Sequence, residues 1–149
     1  MKVSYVKKLM LQGISVRTNN ENESNEETQK IAPLWAKYDE EHVFTKTLDK
    51  ANNTSFYGLY LNYESDVNGD YDAMVAVEVT KAKNKAIVIE NEKYLVFKKE
   101  GELPDVAYDL WTEIWAYFEN NSDYKRAYKI DFERYSKRDE VEIFISIEK

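Results

Sequence analysis

The sequence has no cysteine, one histidine, four glycines and two prolines among its 149 residues. Without cysteine there is no disulfide, no thiolate nucleophile and no Cys-based metal site. The lone His42 excludes a His-rich metal centre and argues against a His-based triad, so neither metal nor cofactor is expected. No apolar run approaches the ~20 residues that span a bilayer as a helix. The opening Met1-Lys2-Val3-Ser4-Tyr5 also lacks the apolar stretch of a secretory signal, so a soluble, cytoplasmic protein without a membrane partner is expected. Positive charge is in deficit, with 21 Lys and Arg against 28 Asp and Glu for a net charge of -7. That balance speaks against nonspecific nucleic-acid binding, which needs a clustered basic surface. What the chain has in surplus is aromatic: twelve Tyr, six Phe and three Trp.

With so little Gly and Pro, organisation is read from polar clusters and from changes of hydrophobic period. Leu9 to Thr18 is β-branched and apolar around Gly13 and reads as a strand. Asn19 to Lys30 holds no apolar residue and reads as a solvated loop, with Ser24-Asn25-Glu26-Glu27 fitting a capping box. Ile31, Leu34, Trp35 and Tyr38 then form one helical stripe, with Pro33 either kinking the helix or marking its first turn. Phe56 to Tyr63 and Tyr71 to Thr80 read as a β-hairpin joined by the loop Glu64 to Asp70, with Asn68-Gly69 supplying the turn. Asp66, Asn68, Asp70 and Asp72 in that loop lack the glycine and distal glutamate of a calcium hand, which leaves an ordinary turn.

The second half repeats the plan. Ala86 to Lys98 reads as a strand and Leu103 to Asn121 as a helix, with Ala107, Leu110, Trp111, Ile114, Trp115 and Phe118 on one face. Tyr128 to Tyr135 and Val141 to Ile147 read as a second hairpin. A shift of 76 carries Leu34-Trp35 onto Leu110-Trp111 and His42 onto Phe118, and carried onward it places Phe56 on Phe132 and Tyr57 on Glu133. The expected fold is therefore α+β: duplicated β-α-β-β units, about 1–81 and 82–149, related by a pseudo-two-fold. An antiparallel sheet would carry two helices flanking a ligand groove.

Strand alternation puts Asp131, Glu133 and Tyr135 on one face, with Ile130 and Phe132 on the other. On the partner strand Glu142 and Phe144 share a face opposite Ile143 and Ile145. One face thus joins carboxylates to aromatics, the chemistry of a cation receptor. A carboxylate among rings is partly desolvated, and ring faces add cation–π attraction of ~0.5–2 kcal/mol per good contact. The ordinary reading stands beside it: a strand glutamate is most often solvated, and tryptophan at helical spacing is most often core.

Glu92-Lys93-Tyr94-Leu95-Val96-Phe97, Leu110-Trp111-Thr112-Glu113-Ile114-Trp115, Asp131-Phe132-Glu133-Arg134-Tyr135 and Val141 to Ile147 together resemble the GyrI-like small-molecule-binding domains. These are the effector-binding domains of AraC- and MerR-type bacterial transcription regulators and of related integron cassette proteins. The resemblance spans most of the chain, including Leu34-Trp35 and Tyr57-Gly58, and implies a single effector-binding domain over 1–149 with no helix-turn-helix domain. It implies Glu133 at the pocket floor as counter-ion to a small organic, cationic or amphipathic ligand. Tyr57, Trp111, Trp115, Tyr135 and Phe144 would be the walls. Binding without catalysis is the leading expectation. The alternatives are a hydrolase of strained electrophilic rings, with the same glutamate activating water, and an inhibitory module docking a protein partner of unknown identity through its acidic surface.

Overall fold

The computed structural model describes residues 1–83, 85–120 and 122–149. The elements follow in the order β1 (Lys2–Thr18), α1 (Asn20–Glu23), α2 (Ile31–Glu40), α3 (Val43–Lys46), β2 (Phe56–Leu61) and β3 (Tyr71–Glu78). The second half supplies β4 (Ile87–Glu100), α4 (Asp105–Glu119), β5 (Asp131–Lys137) and β6 (Glu140–Ser146). The fold is α+β, and all strand pairs are antiparallel. The expected helix end at Asn121 lies outside the described residues.

The sheet closes on itself, with strand order β1-β3-β2-β5-β6-β4 and β4 returning to β1. Closure explains why β1 is longer than the apolar run from Leu9 suggests. Residues Lys2 to Leu11 pair with β4 and Leu11 to Thr18 pair with β3, so the same strand edges both halves. Gly13 sits where β1 and β3 approach too closely for a side chain, since a Cβ there would lie 1.7 Å from the Val75 carbonyl oxygen.

Alternation divides the apolar residues between two surfaces. Leu11, Tyr57, Leu59, Met74, Ile89, Tyr94, Phe132 and Phe144 fill the barrel interior. Residues of the opposite parity face outward and are covered by the helices. Leu34 and Tyr38 of α2 pack on Val75, while Leu110 and Ile114 of α4 pack on Val141, Ile143 and Ile145. Since α2 covers β1 and β3 and α4 covers β4 and β6, the central β2–β5 pair is the floor between the helices. Pro33 does not kink α2. It lies in the first turn, where a missing N–H costs no intrahelical bond, and Leu34 N–H closes that turn on the Lys30 carbonyl at 3.1 Å.

Two local expectations are corrected. The polar segment after β1 is exposed from Ser24 to Thr28 as expected and folds as a strap around the short helix α1, but Ser24 and Glu27 make no capping box. Ser24 Oγ donates to the Glu21 carbonyl, and Glu23 instead accepts from the Lys30 and Ile31 backbone N–H groups at 2.8 and 3.1 Å. Glu23 thus caps α2 from outside, a role no i, i+3 pattern reveals. The β2–β3 hairpin forms with the expected Glu64 to Asp70 loop, closed by Glu64 N–H on the Asp70 carbonyl at 2.8 Å, but its tight turn is Asp66 to Gly69, which Asn68-Gly69 ends and does not centre. Within it Gly69 N–H donates to the Asp66 carbonyl at 3.2 Å. No helix among the described residues is long and apolar enough to cross a membrane.

Candidate functional site

At the middle of the floor Gly58 of β2 stands directly opposite Glu133 of β5. Glu133 is 4% exposed, although it lies on the face turned toward the helices. Its carboxylate collects three donors. Trp111 Nε1 donates to Oε2 at 2.6 Å, the Tyr60 hydroxyl to Oε2 at 2.9 Å and the Tyr135 hydroxyl to Oε1 at 2.7 Å. All three donors are neutral, and no Lys, Arg or His among the described residues pairs with it. Burial pushes the Glu133 carboxyl above its ordinary value, and the three hydrogen bonds oppose that rise without cancelling it. The Tyr135 and Tyr60 hydroxyls are pushed up as well, by burial first and by the adjacent carboxylate second.

The carboxylate fits because position 58 is glycine. A Cβ on Gly58 would lie 2.6 Å from Glu133 Oε1 and 3.6 Å from the Trp35 ring, so the missing side chain is the space the acid occupies. Two aromatic pairs flank it. Trp35 meets Tyr135 edge to face at 5.7 Å and 90°, and Trp111 meets Tyr60 at 5.3 Å and 84°. Each pair joins the helix tryptophan of one half to the strand tyrosine of the other. The crossed Trp35–Tyr135 and Trp111–Tyr60 pairs make Tyr60 and Tyr135 equivalent, a strand shift of 75, and that shift carries Gly58 onto the residue it faces in the β2–β5 ladder. Gly58 and Glu133 are then counterparts on the pseudo-two-fold, as are Tyr60 and Tyr135.

That shift corrects the register drawn from the sequence. The helices are related by 76 positions but the strands by 75, and one residue of slip exchanges the two faces of a strand. Tyr57 therefore corresponds to Phe132 and not to Glu133. It points into the barrel, 5.9 Å from the Phe132 ring. Phe144 is likewise interior: it faces Phe132 across the β5–β6 ladder, the rings stacked at 4.4 Å, while Glu133 faces Ile143. Neither Tyr57 nor Phe144 shares a face with the carboxylate. Glu142, expected beside Phe144, pairs with Arg134 through Nε at 3.0 Å. Trp111 and Tyr135 touch Glu133 as expected. Trp115 extends the wall beside Trp111, with ring centroids 5.9 Å apart. The sequence reading missed Tyr60, Trp35 and Gly58, although Trp35 and Trp111 were already aligned by the helix repeat.

Asp131, two residues from Glu133, is fully buried but engaged. Arg126 donates to Oδ2 at 2.7 Å and the Tyr63 hydroxyl at 2.5 Å, while Ser146 donates to Oδ1 through both N–H and Oγ. Of two neighbouring buried carboxylates, one has a cation and the other has none.

The site is closed. The space beside Gly58 under α2 amounts to about 10 Å³, against the hundreds of Å³ of a typical ligand pocket. A wider hollow of about 460 Å³ lies at the C-terminal end of α4, between Met1, Tyr117 and Asn120, and shares no residue with the surroundings of Glu133.

The duplicated β-α-β-β fold, with helices flanking a buried acid, is the fold of the GyrI-like domains. The chain belongs to the Cass2 family of integron-associated effector binding proteins, whose family model matches residues 2–147. It is similar to an integron cassette protein from the mobile metagenome of Vibrio cholerae at 34% identity and a TM-score of 0.84, over 99% of this chain and 95% of that one. SAV2435, solved bound to tetraphenylphosphonium, shares the fold at 21% identity and a TM-score of 0.79, over 99% and 93% of the two chains. So does a Staphylococcus aureus MU50 protein assigned to bacterial transcription regulation, at 22% and 0.78 over 99% and 97%. No curated protein of established function matches the sequence.

Proposed function

We propose that this protein is a cytoplasmic receptor for a small organic cation with aromatic or other apolar groups, held with Glu133 as counter-ion. The observation that carries the reading is a buried carboxylate whose three partners are all neutral. Leaving water is costly for an ion, and neutral donors return only part of that cost. An organic cation that enters with little bound water supplies the missing charge, and the faces of Trp111, Tyr60 and Tyr135 add attraction to it. The tetraphenylphosphonium bound by SAV2435, an aromatic monocation, is of this kind.

Binding without turnover is the better reading of the chemistry. The Glu133 oxygens already accept three hydrogen bonds, which compete with an incoming water for the carboxylate. The nearest second carboxylate, Asp131, is fixed by Arg126 and Ser146 and has no free position for acid catalysis.

The test is calorimetric titration with tetraphenylphosphonium and with a neutral analogue of the same shape, tetraphenylmethane solubilised in cyclodextrin. Wild type is expected to bind the cation and not the neutral compound, and Glu133→Gln to lose about tenfold or more in affinity. Equal binding of the cation by both proteins sinks the counter-ion assignment.

A further inference from the structure

Two buried charges near the floor differ in what they leave unused. Glu133 has no cation among the described residues. Arg126, whose side chain is 6% exposed, has its counter-ion in Asp131 but makes only that one side-chain hydrogen bond among the described residues, through Nη2 at 2.7 Å. Its Nε–H is buried and has no partner among them. An unmet donor on a buried cation is costly, because its bond to water is lost and nothing replaces it. What surrounds the guanidinium is aromatic. It lies 4.4 Å from the centre of the Tyr128 ring, 5.9 Å from that of Tyr63 and 6.0 Å from that of Phe118, and ring faces attract the charge without accepting a conventional hydrogen bond. A row of rings joins this donor to Glu133. Tyr60, which donates to Glu133, packs on Tyr71 at 5.6 Å, Tyr71 on Tyr63 at 5.9 Å and Tyr63 on Tyr128 at 5.4 Å. Asp131 and Glu133 are two residues apart on β5, a rise of about 7 Å. The opposite end of the floor has no such pair, since the shift of 75 that carries Gly58 onto Glu133 carries Phe56 onto Asp131.

We infer that Arg126 is a second recognition point, which takes an uncharged oxygen acceptor of the ligand, a ketone, ester or amide carbonyl, on its free Nε–H. The cationic end of that ligand rests on the cation-receptor reading, whereas the oxygen rests on Arg126 alone. Asp131 decides that the acceptor is uncharged. It already neutralises the guanidinium and is held by four hydrogen bonds, so an anionic group on the ligand would meet its negative charge. The ligand class is therefore an organic cation with a carbonyl oxygen roughly 7 Å from its charge along an apolar body. Because the donor lies on one side only of the pseudo-two-fold, it also fixes which way round such a cation lies.

The experiment titrates the ketone 4-benzoylphenyltrimethylammonium and its methylene counterpart 4-benzylphenyltrimethylammonium, cations of nearly one shape, against wild type and Arg126→Lys. Lysine keeps a cation beside Asp131 and removes the Nε–H. Wild type is expected to bind the ketone about tenfold more tightly than the methylene compound, the scale of a hydrogen bond from a charged donor, and Arg126→Lys to reduce that preference to about twofold or less. If urea unfolding shows the lysine variant to be unfolded at the titration temperature, Arg126→Met paired with Asp131→Asn, which removes both charges together, serves in its place. Equal binding of the two cations by wild type overturns the inference, and so does a preference that survives in the variant. If neither cation binds, the cation-receptor reading falls, and thermal shifts with uncharged benzophenone and diphenylmethane decide the carbonyl site by themselves. Stabilisation by benzophenone alone, lost in Arg126→Lys, upholds the site; no difference between the two compounds overturns it.

Discussion

Glu133 and Gly58 stand opposite each other at the centre of the β2–β5 ladder, and the carboxylate of the one occupies the space left by the missing side chain of the other. A duplicated fold would ordinarily place two like residues there. Two acids so close would repel, and two glycines would offer no charge, so the unlike pair is what allows one buried carboxylate on the axis.

Gly58→Ala is expected to displace the Glu133 carboxylate, because the new Cβ would lie 2.6 Å from Oε1. Overpacking of this kind costs about 1–3 kcal/mol, and cation binding should fall with it. Urea denaturation alongside a tetraphenylphosphonium titration checks both; a variant as stable and as tightly binding as wild type contradicts the close packing described.

Burial holds the Glu133 carboxyl above its ordinary value, so the folded protein keeps the proton more readily than the unfolded chain does. The stability tied to that proton is complete below the usual carboxylate value of 4.5 and is lost as pH rises through the higher folded value. Relative to Glu133→Gln, wild type should therefore lose ground as pH is raised from about 4.5 to 7, measured by denaturant midpoints of the two proteins in parallel. A gap between them that does not change with pH would show that Glu133 titrates alike in the folded and unfolded states.

Asp131→Asn is expected to be the more damaging carboxylate substitution. It strips the charge partner from Arg126, whose side chain is only 6% exposed, and leaves a buried cation uncompensated. Breaking such a pair from one side costs about 3–5 kcal/mol. Thermal and urea unfolding should both register the loss, and the order Asp131→Asn worse than Glu133→Gln is the decisive comparison.

Glu23→Ala should destabilise by about 0.5–2 kcal/mol, the usual scale for losing a helix cap. Hydrogen exchange should localise the effect to Ile31–Glu40, with the amides of Asp105–Glu119 unaffected. Equal acceleration in both helices would mean that Glu23 supports the whole fold rather than α2.

Both long helices and both hairpins were legible from the sequence because each carries its own period. Leu34, Trp35 and Tyr38 recur as a helix requires, and Val141, Ile143 and Ile145 as a strand requires. The nearness of Tyr135 to Glu133 was legible for the same reason, and the family resemblance added Trp111. Tyr57 and Phe144 were misplaced because facing depends on register. The linker between helix and strand is one residue shorter in the second half, which no period within either element records. Tyr60 was within reach: the corrected shift of 75 sets it on Tyr135. The capping by Glu23 was not, since it joins residues brought together only by the folded strap.

Because β1 pairs along its first part with β4 and along its second with β3, the two repeats are laced into one hoop and do not exist as separable shells. A chain cut between them at residue 81 would leave β4 without its neighbour on one side and β1 without its neighbour along half its length. The hoop leaves no seam along which the two halves could part, and what covers Glu133 is laid on its outside, one helix from each repeat.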